Sequence, residues 1–287
     1  MSMKYLFPSF VAAVALWVGC GRAADDGAKG GTTASPHPGI TLRQEARKEP
    51  APQRLTWAVV DLTDPRVSLR VSPGGPDPDG EGAWQTTLMP PTAVAKREGF
   101  ELTVNGDFFA VKKVEGGAAG YRAEQWATVI GPAATDGKAW AAAVNPRPCL
   151  VVKKSGKVTI ERLVKPGADD AHVIAGNVML VEGGKAVPPE NAARHPRTVV
   201  GLDEKGARLT ILVVDGRRAG VADGMSYAEL AKEMIAAGCH TALNLDGGGS
   251  SALVLREGEQ FAVKNDPSDL RERPVANVLG VDVKGAK

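Results

Sequence analysis

The chain has 287 residues, 43% hydrophobic and 24% charged, and a net charge of +2 at neutral pH. That is ordinary globular composition, long enough for a proper core. So small a charge speaks against a nucleic-acid partner or electrostatic adhesion to an acidic membrane, and 34 glycines against only 5% aromatics speak for turns rather than a helical bundle.

The first segment has Lys4, an apolar run over Tyr5–Val18, and Gly19 before Cys20. It reads as a signal peptide, too short to span a membrane. Gly before Cys resembles a bacterial lipobox, although Trp17 stands where Leu is usual. The expectation is an exported protein of the bacterial cell envelope, lipidated on Cys20, with plain secretion as the alternative. Contact with the membrane is then only through the lipid. Residues 21–53 are rich in Ala, Gly, Thr, Pro and Lys, with no hydrophobic period, and read as a disordered tether. Residues 54–287 are left as one domain.

Leu55–Leu62 and Val67–Val71 are β-type runs around a Thr-Asp-Pro-Arg turn. Asp77, Asp79 and Glu81 alternate like calcium ligands, but lack the rest of an EF-hand loop, and a solvated turn is the plainer account. Thr92–Glu98 predicts a short helix after two prolines. The strand Phe100–Val104 ends in Asn105-Gly106-Asp107-Phe108-Phe109, either a hairpin turn or the polar lip of an aromatic-walled pocket. Val111–Lys138, with Tyr121, Arg122 and Trp126, reads as a long Gly-rich loop suited to a lid or substrate wall.

Short strands then follow at Ala139–Val144, Cys149–Lys153, Val158–Leu163 and His172–Gly176, with spacing that suits antiparallel sheets. Cys149 and Cys239 lie in apolar surroundings; an exported pair can be bridged, and a free buried cysteine is as natural there. Val199–Leu202 is entered through His195-Pro196-Arg197-Thr198, and Leu209–Val214 runs into Asp215-Gly216-Arg217-Arg218. Arg197 and Arg217 are either surface ion-pair partners or guanidinium forks for a phosphate. Ser226-Tyr227-Ala228-Glu229 is a capping box, and the helix it starts should turn Tyr227, Leu230, Met234 and Ile235 to the core until Gly238.

That helix feeds Thr241–Leu245, which stops at Asp246; Gly247, Gly248, Gly249, Ser250 and Ser251 follow, then Ala252–Leu255. A carboxylate at a strand end beside glycines is a candidate site, because glycine lets a ligand approach the backbone closely. No Lys follows the glycines as a P-loop requires, and Ala252 stands where a nucleophile elbow needs Gly. Phe261–Val263 and Pro274–Val283 close the domain. About ten strands and two or three helices make an α+β fold of mixed, mainly antiparallel sheets in a single domain.

Asn-Gly-Asp-Phe-Phe (105–109), His-Pro-Arg-Thr (195–198), Val-Asp-Gly-Arg (214–217), Gly-Met-Ser-Tyr-Ala-Glu-Leu-Ala (224–231), Asn-Leu-Asp-Gly-Gly-Gly-Ser-Ser (244–251) and Arg-Pro-Val-Ala-Asn (273–277) occur in that order. The set resembles the phosphodiester glycosidase family, over roughly Leu55–Val283. The resemblance implies hydrolysis of a sugar-1-phosphodiester between the anomeric carbon and oxygen, with a phosphate monoester leaving. Such a leaving group needs charge stabilisation more than it needs a proton. Arg197 and Arg217 are the implied phosphate clamp, helped by Gly247, Gly248, Gly249, Ser250 and Ser251. Asp246 and Asp215 are the implied carboxylate pair, and Asn105 is expected to hold a sugar hydroxyl. Thr198, Asp107 and Arg273 are further expected substrate contacts.

The expected partner is a small or polymeric glycan phosphodiester such as an exopolysaccharide. No cofactor or metal is expected; a divalent cation on Asp107, Asp215 and Asp246 is the alternative. A different class of function stays open, a non-catalytic lipoprotein that binds an envelope polysaccharide or phosphate polymer. An esterase using Ser250 is disfavoured.

Overall fold

The computed structural model describes residues 31–113 and 120–285. The proposed signal peptide and Cys20 fall outside the described residues. Among the described residues, no helix is long and apolar enough to cross a membrane.

The fold is built of antiparallel sheets with two α-helices. The largest sheet has eight strands in the spatial order Gly31–His37, Ile40–Arg47, Gln53–Asp61, Arg208–Val214, Arg197–Leu202, Thr241–Asn244, Val178–Glu182 and Lys185–Ala186. A five-stranded sheet runs Gln260–Val263, Leu253–Glu257, Leu102–Asn105, Asn277–Val283 and Val67–Pro73. A second runs Lys138–Ala141, Ala133–Thr135, Asp170–Ala175, Arg147–Lys153 and Val158–Leu163. A small sheet holds Thr86–Thr87, Trp126–Val129 and Phe109–Val111. The expected α+β class holds, with many more strands than the ten expected and, among the described residues, no parallel pair.

The expected tether is corrected over residues 31–53. Residues 31–37 and 40–47 form two strands, joined at Gly39 (φ 71°), and Gln53 already opens a third. Ile40 and Leu42 are buried on one face, opposite Val60 and Ala58. The stretch hides its period because only one side of it is apolar and an adjacent sheet supplies the rest of the burial.

The eight-stranded sheet is covered on both faces. Leu209, Ile211 and Val213 join the main core with Val104, Leu253 and Leu279 of the five-stranded sheet. Leu212 and Val214, one residue out of phase, pack under the helix Tyr227–Ala236 with Leu230 and Met234. Two-sided burial is why this strand reads as an unbroken apolar run. The capping box is complete, with Ser226 and Glu229 each bonded to the other's backbone N–H. Ile235, expected in the core, is 37% exposed. The other helix, Pro91–Glu98, ends at a left-handed Gly99 and packs Val94 against Phe100 and Val278.

The Val111–Lys138 segment is not one long loop. Trp126–Val129 and Ala133–Thr135 are strands within it, and residues 114–119 fall outside the described residues. Asp77 accepts from the N–H groups of Asp79 and Gly80, the turn expected there. His172 is a packed strand residue, and Cys149 and Cys239 are both free and buried.

Candidate active site

Register gathers the polar strand ends at one place. Arg197 lies opposite Val214, Val199 opposite Asn244, and Asn105 opposite Val278. The Asp246 N–H donates to Gly106 O at 2.9 Å, which joins the triglycine bend to the segment after Asn105.

Asn105 is the buried knot of this junction. Its Nδ2 donates to Asp246 O at 2.8 Å, while Oδ1 accepts from Thr198 Oγ1 at 2.7 Å and from Ala252 N at 3.2 Å. Both Asn105 and Thr198 have no exposed surface. Three of the four hydrogen-bonding positions of the amide are spent on the protein, so Asn105 ties three segments together rather than holding a sugar hydroxyl. Thr198 likewise spends its hydroxyl proton on Asn105.

The glycines are corrected in role. Gly247 N–H donates to Asp246 Oδ1 at 2.8 Å and Gly248 N–H to Pro196 O at 2.9 Å, so two of the three amides are already committed. What the glycines supply is room. A Cβ on Gly248, whose φ is 62°, would lie 2.9 Å from Arg217 Nη1. A Cβ on Gly249 would lie 2.2 Å from both Arg273 Nη2 and Asp269 Oδ2. Two guanidinium groups therefore pass over the bend; the firmer limits are the left-handed φ at Gly248 and the Pro196 carbonyl, 2.7 Å from where a Cβ on Gly247 would stand. Ser250 and Ser251 are buried, and neither hydroxyl has a well-formed partner; Ser250 still faces Asp246 closely enough to favour its ionised form.

Burial pushes the Asp246 carboxyl up to about 6; Ser250, the Gly247 N–H, Arg273 and Arg217 pull the other way. It is thus mostly ionised at neutral pH, at the partly accessible end of its strand. Asp246 acts through its charge on a second carboxylate, Asp107. Asp107 Oδ2 accepts from Asn277 Nδ2 at 2.7 Å and from Ala175 N at 3.1 Å, and its own N–H donates to Asn277 Oδ1. Its Oδ1 is buried without a partner, and the residue is 2% exposed, too enclosed for a direct substrate contact. Burial above all, with Asp246 adding to it, raises Asp107 to about 8, so it keeps its proton at neutral pH.

This has a consequence for stability. A proton held in the folded chain up to about pH 8, and released in the unfolded chain near 4, makes stability fall as pH rises between those values. Asp107→Asn offers the same two-donor acceptor without the charge. It should flatten the pH dependence of the unfolding temperature between pH 6 and 8 and raise that temperature at pH 8. An unchanged profile in thermal denaturation would show that Asp107 is not the group responsible.

Asp215 meets the bend through Asn265, whose Nδ2 donates both to Asp215 Oδ1 and to Ser251 O at 3.0 Å. Asp215 Oδ1 also accepts from Asp266 N at 3.0 Å, and burial raises the carboxyl to about 6. Asp215 lines a cavity of about 490 Å³ with Arg54, Gln44 and Lys264. No direct contact joins the two carboxylates of the expected Asp246–Asp215 pair among the described residues; Asp215 anchors the 265–266 loop. Among the described residues no group of three or more His, Cys, Asp or Glu is placed to hold a metal.

Arg273 and Arg217 act on Asp246 through their charge, and the Arg197 side chain passes the adjacent Gly247. Arg197 is 5% exposed and lies over the Tyr227 ring, 4.1 Å from its centre. Its Nε and Nη2 reach the carbonyls of Met225 and Ala193, the Tyr227 hydroxyl helps hold its charge, and no acid pairs with it among the described residues. Burial weakens its hold on its proton without neutralising it. Arg217 is exposed and left-handed (φ 60°), and it too has no acidic partner among the described residues. Arg273 pairs with Asp269 at 2.8 Å and lies over the Tyr121 ring, which meets Phe109 edge-on at 5.3 Å. Of the two aromatics after Asp107, Phe109 is thus in ring contact with Tyr121 from the glycine-rich segment. His195, half-buried, is kept neutral by burial and by Arg197 and Arg217. Tyr227 and Asn277 are the residues the sequence reading undervalued: a core tyrosine and a site tyrosine have the same helical spacing.

The profile of the phosphodiester glycosidase family matches residues 98–282 of this chain. No curated protein matches it. Among solved structures, a hypothetical protein from Synechocystis is similar at 16% identity and a TM-score of 0.61, covering 90% of this chain and 64% of that one. The zebrafish N-acetylglucosamine-1-phosphodiester alpha-N-acetylglucosaminidase catalytic domain, auto-inhibited by its pro-peptide, is similar at 21% identity and a TM-score of 0.61, with 88% and 87% covered. A Burkholderia pseudomallei protein described as exported is similar at 16% identity and a TM-score of 0.59, with 84% and 76% covered. At such identities the likeness is one of fold.

Proposed function

The chain belongs to the phosphodiester glycosidase family, and from that premise we propose that it hydrolyses the glycosidic bond of a sugar-1-phosphodiester, releasing the sugar from a phosphate monoester. The single observation that carries this reading is the pairing of one carboxylate with unpaired cations. Asp246 lies in the field of Arg273 and Arg217, the Arg197 side chain passes the adjacent Gly247, and neither Arg197 nor Arg217 makes an ion pair with an acid among the described residues. A diester carries one negative charge and the departing monoester carries nearly two. Cations with no protein partner gain most as that second charge develops, which is how an electrostatic site lowers a barrier.

In this reading Asp246 supplies the negative group that faces the anomeric carbon as positive charge builds there. Arg197 and Arg217 take the non-bridging oxygens, and Arg273 with Tyr121 borders the sugar. Asn105, Thr198 and Asp215 hold these groups in place without touching substrate. Asp107, neutral behind the site, adds no second negative charge to repel the phosphate.

The deciding experiment is to incubate purified protein with a panel of sugar-1-phosphodiesters and measure reducing sugar. Release from at least one member supports the proposal. Binding of the panel without product over long incubation favours instead a polysaccharide-binding lipoprotein. The proposed address is the bacterial cell envelope, through lipidation of Cys20; fatty-acid labelling of wild type and not of Cys20→Ser would bear it out, and no labelling of either would refute it.

A further inference from the structure

We infer that Tyr227 binds the substrate phosphate through its hydroxyl proton, as a second donor beside the Arg197 guanidinium. This role deepens the phosphodiester proposal and rests on it.

A short chain of amides fixes where that proton can go. Asn244 Nδ2 donates to Leu245 O at 2.6 Å. A carbonyl only accepts, so the Asn244 amide has one possible orientation. The same nitrogen donates to Asn177 Oδ1 at 2.9 Å. Asn177 must then turn its own nitrogen the other way, and Nδ2 donates to the Tyr227 hydroxyl oxygen at 3.1 Å. Reversing Asn177 would set two amide nitrogens against each other. The phenol is therefore the acceptor in this contact, and the neighbouring Arg197 leans on the same oxygen. Its hydrogen is left over, and among the described residues no acceptor takes it.

The surroundings favour an anion as the missing acceptor. Arg197 and Tyr227 are 5% and 7% exposed, and the guanidinium is stacked on the ring with no carboxylate beside it among the described residues. A buried hydroxyl proton without an acceptor costs free energy, and so does a buried cation without a counter-charge. One tetrahedral anion with several oxygens relieves both at once. Asn177 is only partly buried, so the cluster meets solvent on that side. Packing alone does not ask for this hydroxyl: phenylalanine would fill the same space under Leu230 and Met234.

The test is calorimetric titration of inorganic phosphate into wild type and Tyr227→Phe, with diester turnover and thermal unfolding measured on the same preparations. The expected result is an unfolding temperature close to wild type and phosphate affinity lower by about tenfold, with KM for the diester raised more than kcat is lowered. Equal phosphate affinity in the two proteins overturns the Tyr227 role and leaves the phosphodiester proposal standing. Wild type that neither binds phosphate nor turns over any diester brings down that proposal, and this role with it. Should Tyr227→Phe fold poorly, wild type labelled at the tyrosine ring carbon bearing oxygen answers the same question by NMR. The Tyr227 signal should move on adding phosphate, and a stationary signal overturns the role.

Discussion

Asp246→Asn should lower turnover of a sugar-1-phosphodiester by on the order of a thousandfold, with the fold intact. The asparagine oxygen can still accept the Gly247 N–H that Asp246 Oδ1 accepts at 2.8 Å, so the bend keeps its shape. What disappears is the negative charge opposite the anomeric carbon. The pH profile makes the prediction specific. Burial places the Asp246 carboxyl at about 6, and in the proposed reaction the ionised form is the working one. Wild-type kcat/KM should therefore fall as pH drops through about 6 and level off above it. Asp215 also titrates near 6 but bonds Asn265 and Asp266 instead, so its replacement should keep the acid limb. Wild-type-like turnover in Asp246→Asn would remove this residue from the chemistry.

Arg197→Ala is expected to be nearly as damaging, with a loss of a hundredfold to a thousandfold in kcat/KM, roughly what one preorganised donor to a developing oxyanion contributes. Folding should change little, because Arg197 has no acidic partner among the described residues to be left alone in the interior. Arg197→Lys should recover only part of the activity. An ammonium keeps the charge but cannot lie flat on the Tyr227 ring and offer a planar fork at the same time. Steady-state kinetics and thermal unfolding on the two variants check both halves. A large drop in unfolding temperature would mean that Arg197 is mainly structural.

How legible the site was depends on what each residue does there. Asp246 and Arg197 stand at the ends of apolar runs, and a charge at such a boundary is visible in one dimension. The triglycine was also visible, though not its purpose. Glycine is demanded at 248 by a left-handed φ of 62° and at 247 by the Pro196 carbonyl, which arrives from elsewhere in the chain and stands 2.7 Å from where a Cβ would be. Asn105 and Asp215 look like substrate contacts in sequence because they are polar and sit at strand ends. They turn inward in the structure because the junction has backbone and side-chain donors that must be bonded. Residues 31–53 were misjudged for a related reason: an edge segment with one apolar face carries too little signal until a neighbour covers that face.

The amino-acid order alone determined that this chain is a β-rich protein whose strands deliver Asp246, Arg197 and Arg217 to their ends, since alternation, turn residues and capping are local effects that act within a few positions. Only the tertiary structure decided that Asp246 acts through its charge on Asp107. Asp107 and Asp215 are alike in sequence terms, but Asp246 N–H bonds Gly106 O while Asp215 bonds the 265–266 loop. Burial and electrostatic coupling depend on distance through space and on what excludes water, and residues 107 and 246 become neighbours only when two sheets meet.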